Sequence, residues 1–114
     1  MHEMSLALSI VEQTRAAAAA EGAERILEVE IEVGSLAGVM LESLEFCLEA
    51  AARSTPVADT DFRLIPVMAR GECPSCRDSF EVDSFFVLCP ACGKADLAIT
   101  GGRELKIRSL TIED

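Results

Sequence analysis

Hydrophobic residues recur at helical spacing in two stretches of the chain. The first stretch is followed by an alanine run at 16–20 that has high helix propensity, and we predict a helix over 5–21 that ends at Gly22. Its apolar stripe is Met4, Ala7, Leu8 and Val11. The second stretch begins at Leu41 and predicts another helix through about residue 54.

Between these helices, apolar residues alternate with glutamates, which is the period of a strand with one exposed face. The apolar positions are Leu27, Val29, Ile31 and Val33. Glu28, Glu30 and Glu32 then share the opposite face. A metal-binding row is one interpretation of these glutamates, but their wide spacing along a strand favours a solvated surface.

Two further strands are predicted at 62–67 and 105–112. Pro66 cannot donate a ladder hydrogen bond, so the first of these is expected at a sheet edge or a bulge. The second changes phase part-way along, which a bulge near Ser109 would accommodate. Its apolar residues are Leu105 and Ile107 in one phase and Leu110 and Ile112 in the other. The expected fold class is α+β, with a small mixed sheet packed against two helices.

Four cysteines form two C-x-x-C pairs between the last two predicted strands. The pairs are Cys73 with Cys76 and Cys89 with Cys92. This spacing is typical of one tetrahedral site that binds structural Zn(II) in a zinc-ribbon-like hairpin. We therefore predict an α+β domain at 1–68 and 97–114 and an inserted zinc-binding domain at 69–96, with Gly71 and Gly101–Gly102 as hinges. The fifth cysteine, Cys47, lies in the apolar set of the second helix and is expected to be a buried, inert thiol.

The composition and charge of the chain limit the functions that this small protein can have. The chain has 114 residues, 20 acidic against 10 basic, and a net charge of −10, which repels nucleic-acid backbones. No basic segment precedes a long apolar run, and no stretch is long and apolar enough to span a membrane. We expect a cytoplasmic protein with reduced thiols, so that metal explains the four cysteines better than disulfides do.

Two other functional classes use a similar cysteine pattern. A rubredoxin-like electron carrier would bind iron with the same four thiolates. A zinc-ribbon nucleic-acid module would need a basic patch and aromatic residues, whereas this chain is acidic and only 4% aromatic.

A second candidate metal site lies at the N-terminus, where His2 is the only histidine. The terminal amine of Met1, the backbone nitrogen of His2 and its imidazole can close two chelate rings around one ion in a plane. Such nitrogen donors favour Ni(II) or Cu(II), and Glu3 could complete or support the site. An ordinary exposed terminal histidine is the alternative.

Several of these features together resemble the HypA/HybF family of nickel-insertion proteins for [NiFe] hydrogenases. They are the Met1-His2-Glu3 start, the strand ending in Val33-Gly34, the segment Ser43-Leu44-Glu45-Phe46 and the paired C-x-x-C hairpin. The resemblance implies that His2 and the Met1 amine ligate nickel with support from Glu3. It also implies structural zinc at Cys73, Cys76, Cys89 and Cys92.

The same resemblance implies partners and a role without catalysis. Members exchange nickel with the GTPase HypB and deliver it to the precursor of the hydrogenase large subunit, and some also serve urease maturation. The chain departs from some relatives in having no histidine near the hairpin. Arg77 also stands where a glycine often follows the first knuckle, so the turn there is expected to differ from the turn at Gly93.

Overall fold

A computed structural model describes residues 3–85, 87–95 and 97–113 of the chain. Two helices and six strands are formed in the described part. In chain order they are α1 (Glu3–Ala20), β1 (Ile26–Gly34), α2 (Leu41–Ala52), β2 (Asp61–Val67), β3 (Ala69–Glu72), β4 (Ser79–Val82), β5 (Ala98–Gly101) and β6 (Leu105–Ile112). The predicted α+β class is confirmed, with both predicted helices present.

The first sheet has β1 at its centre, parallel to β2 and antiparallel to β6. Both helices pack on the face that carries Val29, Ile31 and Val33, because side chains alternate along a strand. Leu27, predicted on the same face, is instead 41% exposed, because a register shift between Ile26 and Glu28 breaks the alternation and buries Ile26 in its place. Pro66 lies in β2, at an edge of the sheet as predicted, where a missing N–H breaks no ladder.

The predicted bulge lies in β6. Ser109 pairs with Glu30, whereas the next residue of β1, Ile31, pairs with Ile107. Arg108 is therefore the extra residue of the bulge. This single insertion lets the apolar residues on both sides of it face the helices.

The buried face of α1 is only partly the predicted one. Its buried residues are Ala7, Ile10, Val11 and Thr14. Met4 and Leu8 are instead 39% and 55% exposed. The buried Thr14 has its hydroxyl satisfied inside the core, because Oγ1 donates a hydrogen bond of 2.7 Å to the Ile10 carbonyl.

The face of β1 opposite the helices carries Glu28, Glu30 and Glu32, as predicted, and neighbouring strands supply cations to it. Arg63 lies 3.3 Å from Glu28, and Lys106 lies 3.5 Å from Glu32. Glu30 accepts a hydrogen bond from the Ser109 hydroxyl. These glutamates form an ion-paired, partly exposed surface, and in the described residues they are in no metal-like cluster.

The second sheet has β3 at its centre and β4 and β5 on either side, all antiparallel. We call residues 69–101 the cysteine lobe and the first sheet with its helices the helical lobe. The Cα radius of gyration is 17.4 Å, against about 13 Å for a compact chain of this length. The molecule is accordingly elongated, 54 Å by 26 Å by 16 Å.

Two short connections join the lobes. Met68 alone separates β2 from β3, and residues 102–104 separate β5 from β6. Gly71 lies inside β3, paired with Phe80 and Ile99, so the connection on that side is at Met68. The pairing with β3 also puts 98–101 in the second sheet.

A corner at Gly34 and Ser35 closes the junction between the lobes. The Ser35 hydroxyl donates to the Val82 carbonyl at 3.1 Å and accepts from the Ala69 N–H at 2.8 Å. The N–H of Gly34 donates to the Glu104 carbonyl, so the end of β1 contacts both connections. The end of β1 is thus hydrogen-bonded to the strand that leaves the helical lobe and to the segment that returns to it.

Candidate metal centre

The first knuckle is a tight turn at Cys73–Asp78. The Cys73 N–H donates to the Asp78 carbonyl at 3.0 Å, and the Arg77 N–H donates to the Cys73 carbonyl at 2.7 Å. Closing this turn puts Arg77 at φ 60°, in the left-handed region that side chains disfavour.

The second knuckle repeats this geometry. The Cys89 N–H donates to the Lys94 carbonyl and the Gly93 N–H donates to the Cys89 carbonyl, both at 2.8 Å, with Gly93 at φ 78°. The expectation that Arg77 would change the first turn is therefore wrong. The turn requires a positive φ after its second cysteine, and Arg77 adopts it despite its Cβ.

The two knuckles bring four sulfur atoms together. The Sγ atoms of Cys73, Cys76, Cys89 and Cys92 all lie within 4.8 Å of one another. The sulfurs of Cys76 and Cys89 lie 3.4 Å apart, and those of Cys73 and Cys92 lie 3.6 Å apart. A tetrahedral ion with Zn–S bonds of about 2.3 Å requires sulfurs about 3.8 Å apart, so the cluster fits such an ion with small adjustment.

The surroundings of the sulfurs differ from one side to the other. Cys73 and Cys89 are buried, whereas Cys92 is exposed. Lys94 Nζ donates to Ser75 Oγ at 2.8 Å and so links the two knuckles across the site. The lysine also puts a positive charge near a centre that carries a net −2 when four thiolates bind a divalent ion.

Backbone amides favour ionisation of one thiol in particular. The N–H of Cys92 donates to Cys89, and with the Ala91 N–H it lowers the pKa of Cys89 to about 7. At Cys76 the Asp78 N–H favours the thiolate, but the hydrogen bonds with Cys89 and Cys73 outweigh it and the pKa is raised to about 12. In the metal-free cluster Cys89 therefore loses its proton at a lower pH than Cys76 does.

The N-terminal candidates are only partly described. Met1 and His2 lie outside the described residues, whereas Glu3 is the first residue of α1. Glu3 Oε2 accepts a hydrogen bond of 3.3 Å from the backbone N–H of Met40, just before α2. The starts of the two helices are thereby joined.

Cys47 lies apart from the four-cysteine cluster, partly buried against the core of the helical lobe. Sequence reasoning predicted all four clustered thiols and compared Arg77 with Gly93, but it missed Lys94. The available signal was the internal repeat Cys-Pro-x-Cys-x-x at 73–78 and 89–94, which gives Lys94 the same place after the second knuckle as Asp78 has after the first.

No helix among residues 3–85, 87–95 and 97–113 has the length and apolar character to cross a membrane.

Comparisons with known proteins agree with this architecture. The family model described as "Hydrogenase/urease nickel incorporation, metallochaperone, hypA" matches residues 1–112. Hydrogenase maturation factor HypA of Prosthecochloris aestuarii is 42% identical over 99% of this chain and 100% of its own length. The protein of the same name from Chlorobaculum tepidum is 45% identical over the same shares.

Solved structures share the fold. The Ni metallochaperone HypA from Helicobacter pylori, solved in solution, matches with a TM-score of 0.69 and 22% identity, covering 98% of this chain and 97% of that one. A further solution structure, of HypA protein, gives 0.71 at 22% identity, covering 99% and 97%. With the full-length family match and the four-sulfur site, the chain belongs to the HypA family of nickel metallochaperones for hydrogenase maturation.

Proposed function

We propose that this protein binds Ni(II) at its N-terminus and delivers it to the [NiFe] hydrogenase large-subunit precursor. In this proposal His2 ligates the ion through its imidazole and backbone nitrogen, the Met1 amine adds a third nitrogen, and Glu3 supports the site. The ion is cargo and the protein catalyses no reaction.

The observation that carries the proposal is the family match over 1–112, which includes the Met1-His2-Glu3 start. The position of α1 supports it physically. Backbone N–H groups at the start of a helix have no intrahelical acceptor, so replacing the amide hydrogen of His2 by an ion breaks no helical hydrogen bond. The bond from Glu3 to Met40 joins the start of α1 to the residue before α2.

We assign Zn(II) to Cys73, Cys76, Cys89 and Cys92 as a structural ion. The sulfur separations suit tetrahedral coordination, and metal binding would stabilise a lobe with two four-residue strands beside the four-residue β3. In this proposal the helical lobe binds nickel and the cysteine lobe binds zinc, and β5 (Ala98–Gly101), predicted in the nickel-binding domain, belongs to the cysteine lobe.

The test of the nickel site compares four forms of the protein: the native terminus, His2→Ala, a form extended before Met1, and Glu12→Gln. The third form has no free amine at Met1, and the fourth changes an exposed glutamate of α1 as a matched control for non-specific carboxylate binding. We expect the second and third to lose nickel affinity at least tenfold while Glu12→Gln keeps it. Equal affinity in all four forms would overturn the proposal.

The proposed partners are the GTPase HypB, which exchanges nickel with the protein, and the hydrogenase precursor; urease maturation is a second proposed client. The work would take place in the cytoplasm. A direct test follows transfer of nickel from the loaded protein to the purified precursor, with His2→Ala as the control. Transfer that is as fast from free nickel as from the loaded protein would contradict a delivery role.

Iron in the four-sulfur site is the competing assignment, because four thiolates also suit it. A red protein with thiolate-to-iron absorption would support an electron carrier, whereas a colourless protein with one equivalent of zinc supports our assignment. Nucleic-acid binding has less support, since Arg63 and Lys106 are already paired with carboxylates.

A further inference from the structure

The outward face of α2 carries an aromatic side chain among carboxylates. Phe46 is 70% exposed, while Leu44 and Leu48 on the same helix are fully buried. Glu42 and Glu49 lie one turn away from Phe46 on either side, at i−4 and i+3, and Glu45 adjoins it. We call Glu42, Glu45, Phe46 and Glu49 the α2 stripe.

The charges of the α2 stripe are unbalanced. On the open face of the first sheet, glutamates have cations or a hydroxyl beside them, as Glu28 does with Arg63. Among the described residues, no cation or hydrogen-bond donor lies in contact with the side chains of Glu42, Glu45 or Glu49. The α2 stripe therefore presents about three uncompensated negative charges at neutral pH.

This arrangement does not favour the stability of the helix itself. Glu42 with Glu45 and Glu45 with Glu49 are like-charge pairs at i,i+3 and i,i+4, which destabilise a helix. Glu49 lies in the C-terminal half, where the helix dipole disfavours an anion, and no basic residue occupies the last turn. A local departure from these rules with no compensating contact is typical of a functional surface.

We propose that the α2 stripe is a docking surface for a partner protein whose contact surface has an apolar pocket rimmed by Lys and Arg. Phe46 fills the pocket, and the three glutamates pair with the rim. Aromatic residues are enriched at protein interfaces, where the rim is polar, and complementary charges speed association.

The position of the stripe suits a partner that exchanges metal. Met40, just before α2, donates its N–H to Glu3, the residue after His2. A protein seated on the N-terminal end of α2 is thus close to Glu3, the first residue of α1. The choice of a metal-exchanging protein as the partner to be tested rests on the proposed function.

A second copy of this chain fits the surface poorly. Two stripes facing each other across a two-fold axis would bring six glutamates together, and the chain as a whole has a net charge of −10. The same charge repels phosphate backbones and anionic membranes. A basic protein surface is the occupant that the charges favour.

The test measures binding of the full-length, zinc-loaded protein to two probes separately: purified HypB and the purified large-subunit precursor of the same organism. The variants are Phe46→Ala and Glu45→Lys. Matched controls are Leu88→Ala, which removes a 63% exposed apolar side chain of the cysteine lobe, and Glu12→Lys, which makes the same charge change on α1. Thermal unfolding checks that each variant folds.

We expect Phe46→Ala to weaken binding to one probe about tenfold or more. Glu45→Lys should slow association with that probe and flatten its salt dependence, while both controls bind like the wild type. Equal binding of all five proteins to both probes overturns the docking surface, as does wild-type dimerisation that Phe46→Ala abolishes.

Nickel titrations of the same five proteins separate the two proposals. Unchanged nickel affinity in Phe46→Ala, together with lost binding to the probe, supports docking at the α2 stripe. This result does not depend on whether His2→Ala loses nickel affinity. The docking surface can therefore be correct even if the proposed nickel site at the N-terminus is wrong.

Discussion

The hydroxyl oxygen of Ser35 lies 2.8 Å from the backbone nitrogen of Ala69, and this bond joins the end of β1 to the first residue of the cysteine lobe. The same hydroxyl donates to the Val82 carbonyl at the end of β4. One serine side chain therefore holds two strands of the second sheet against the first.

Replacing Ser35 by alanine should loosen this junction. The substitution removes both hydrogen bonds, and we expect a loss of about 1 kcal/mol in the free energy of unfolding because the Ala69 N–H and the Val82 carbonyl lose their partner. The radius of gyration in solution scattering should rise as the lobes separate. The matched control is Ser109→Ala, since its hydroxyl binds Glu30 on the open sheet face and joins no lobes. Identical scattering from both variants would contradict the role of Ser35.

Gly34→Ala should disrupt the junction more strongly. A Cβ at position 34 would overlap the backbone carbonyl of Gly102, which belongs to the returning connection and cannot swing away as a side chain could. We expect destabilisation of about 2 kcal/mol, measured by chemical denaturation. Gly101→Ala is the control, because a Cβ there meets open space. Equal stability of the two variants would show that the close approach is not required.

Arg77→Gly should stabilise the cysteine lobe. The left-handed φ of 60° costs an arginine about 1–2 kcal/mol, and the extra unfolded-state freedom of glycine offsets about half of that gain. We expect a net gain of about 0.5 kcal/mol in resistance of the lobe to unfolding when zinc is removed. The reciprocal control, Gly93→Arg, should destabilise it at the equivalent position of the second knuckle. An unstable Arg77→Gly lobe would mean that the arginine makes a compensating contact.

Zinc affinity should decrease as the pH is lowered, and the decrease should be steeper below about pH 7. Zinc binds thiolates, so each protonated cysteine must lose a proton first. The amide of Cys92 lowers the pKa of Cys89 to about 7, so this residue is mostly ionised above that pH and adds one more proton to displace below it. The slope of log affinity against pH should therefore steepen by about one unit on crossing pH 7.

Competition with a chelator between about pH 6 and pH 8 measures this slope. Cys47→Ser is the control and should leave the curve unchanged, because Cys47 lies in the helical lobe, apart from the four sulfurs. A constant slope through this range would contradict the special environment of Cys89.

Local patterns predicted the elements whose signal is strongly periodic. The alternation around Val29 and Ile31 identified β1 and its buried face, and the phase change in 105–112 located a bulge within one residue of Arg108. The C-x-x-C spacing likewise predicted the sulfur cluster. In each case a short-range rule determines the geometry.

Features set by long-range contacts were harder to predict. Apolar residues lie on several sides of α1, so its own sequence does not decide that Ile10 faces the core and Leu8 does not. The strand Ala98–Gly101 has no clear alternation of apolar and polar residues, and it depends on pairing with β3. The αL backbone of Arg77 follows from closing the turn rather than from the preference of the residue.

The insertion of the cysteine lobe between β2 and β6 links metal content to chain entropy. Before β6 can pair with β1, the segment 68–104 must be closed into a loop. A folded lobe shortens this loop to its few connecting residues, which lowers the free-energy cost of loop closure by about 2 kcal/mol. A metal ion bound at the sulfur site thus favours pairing of β6 with β1 in the distant sheet. The topology of the chain therefore favours metal binding before β6 pairs.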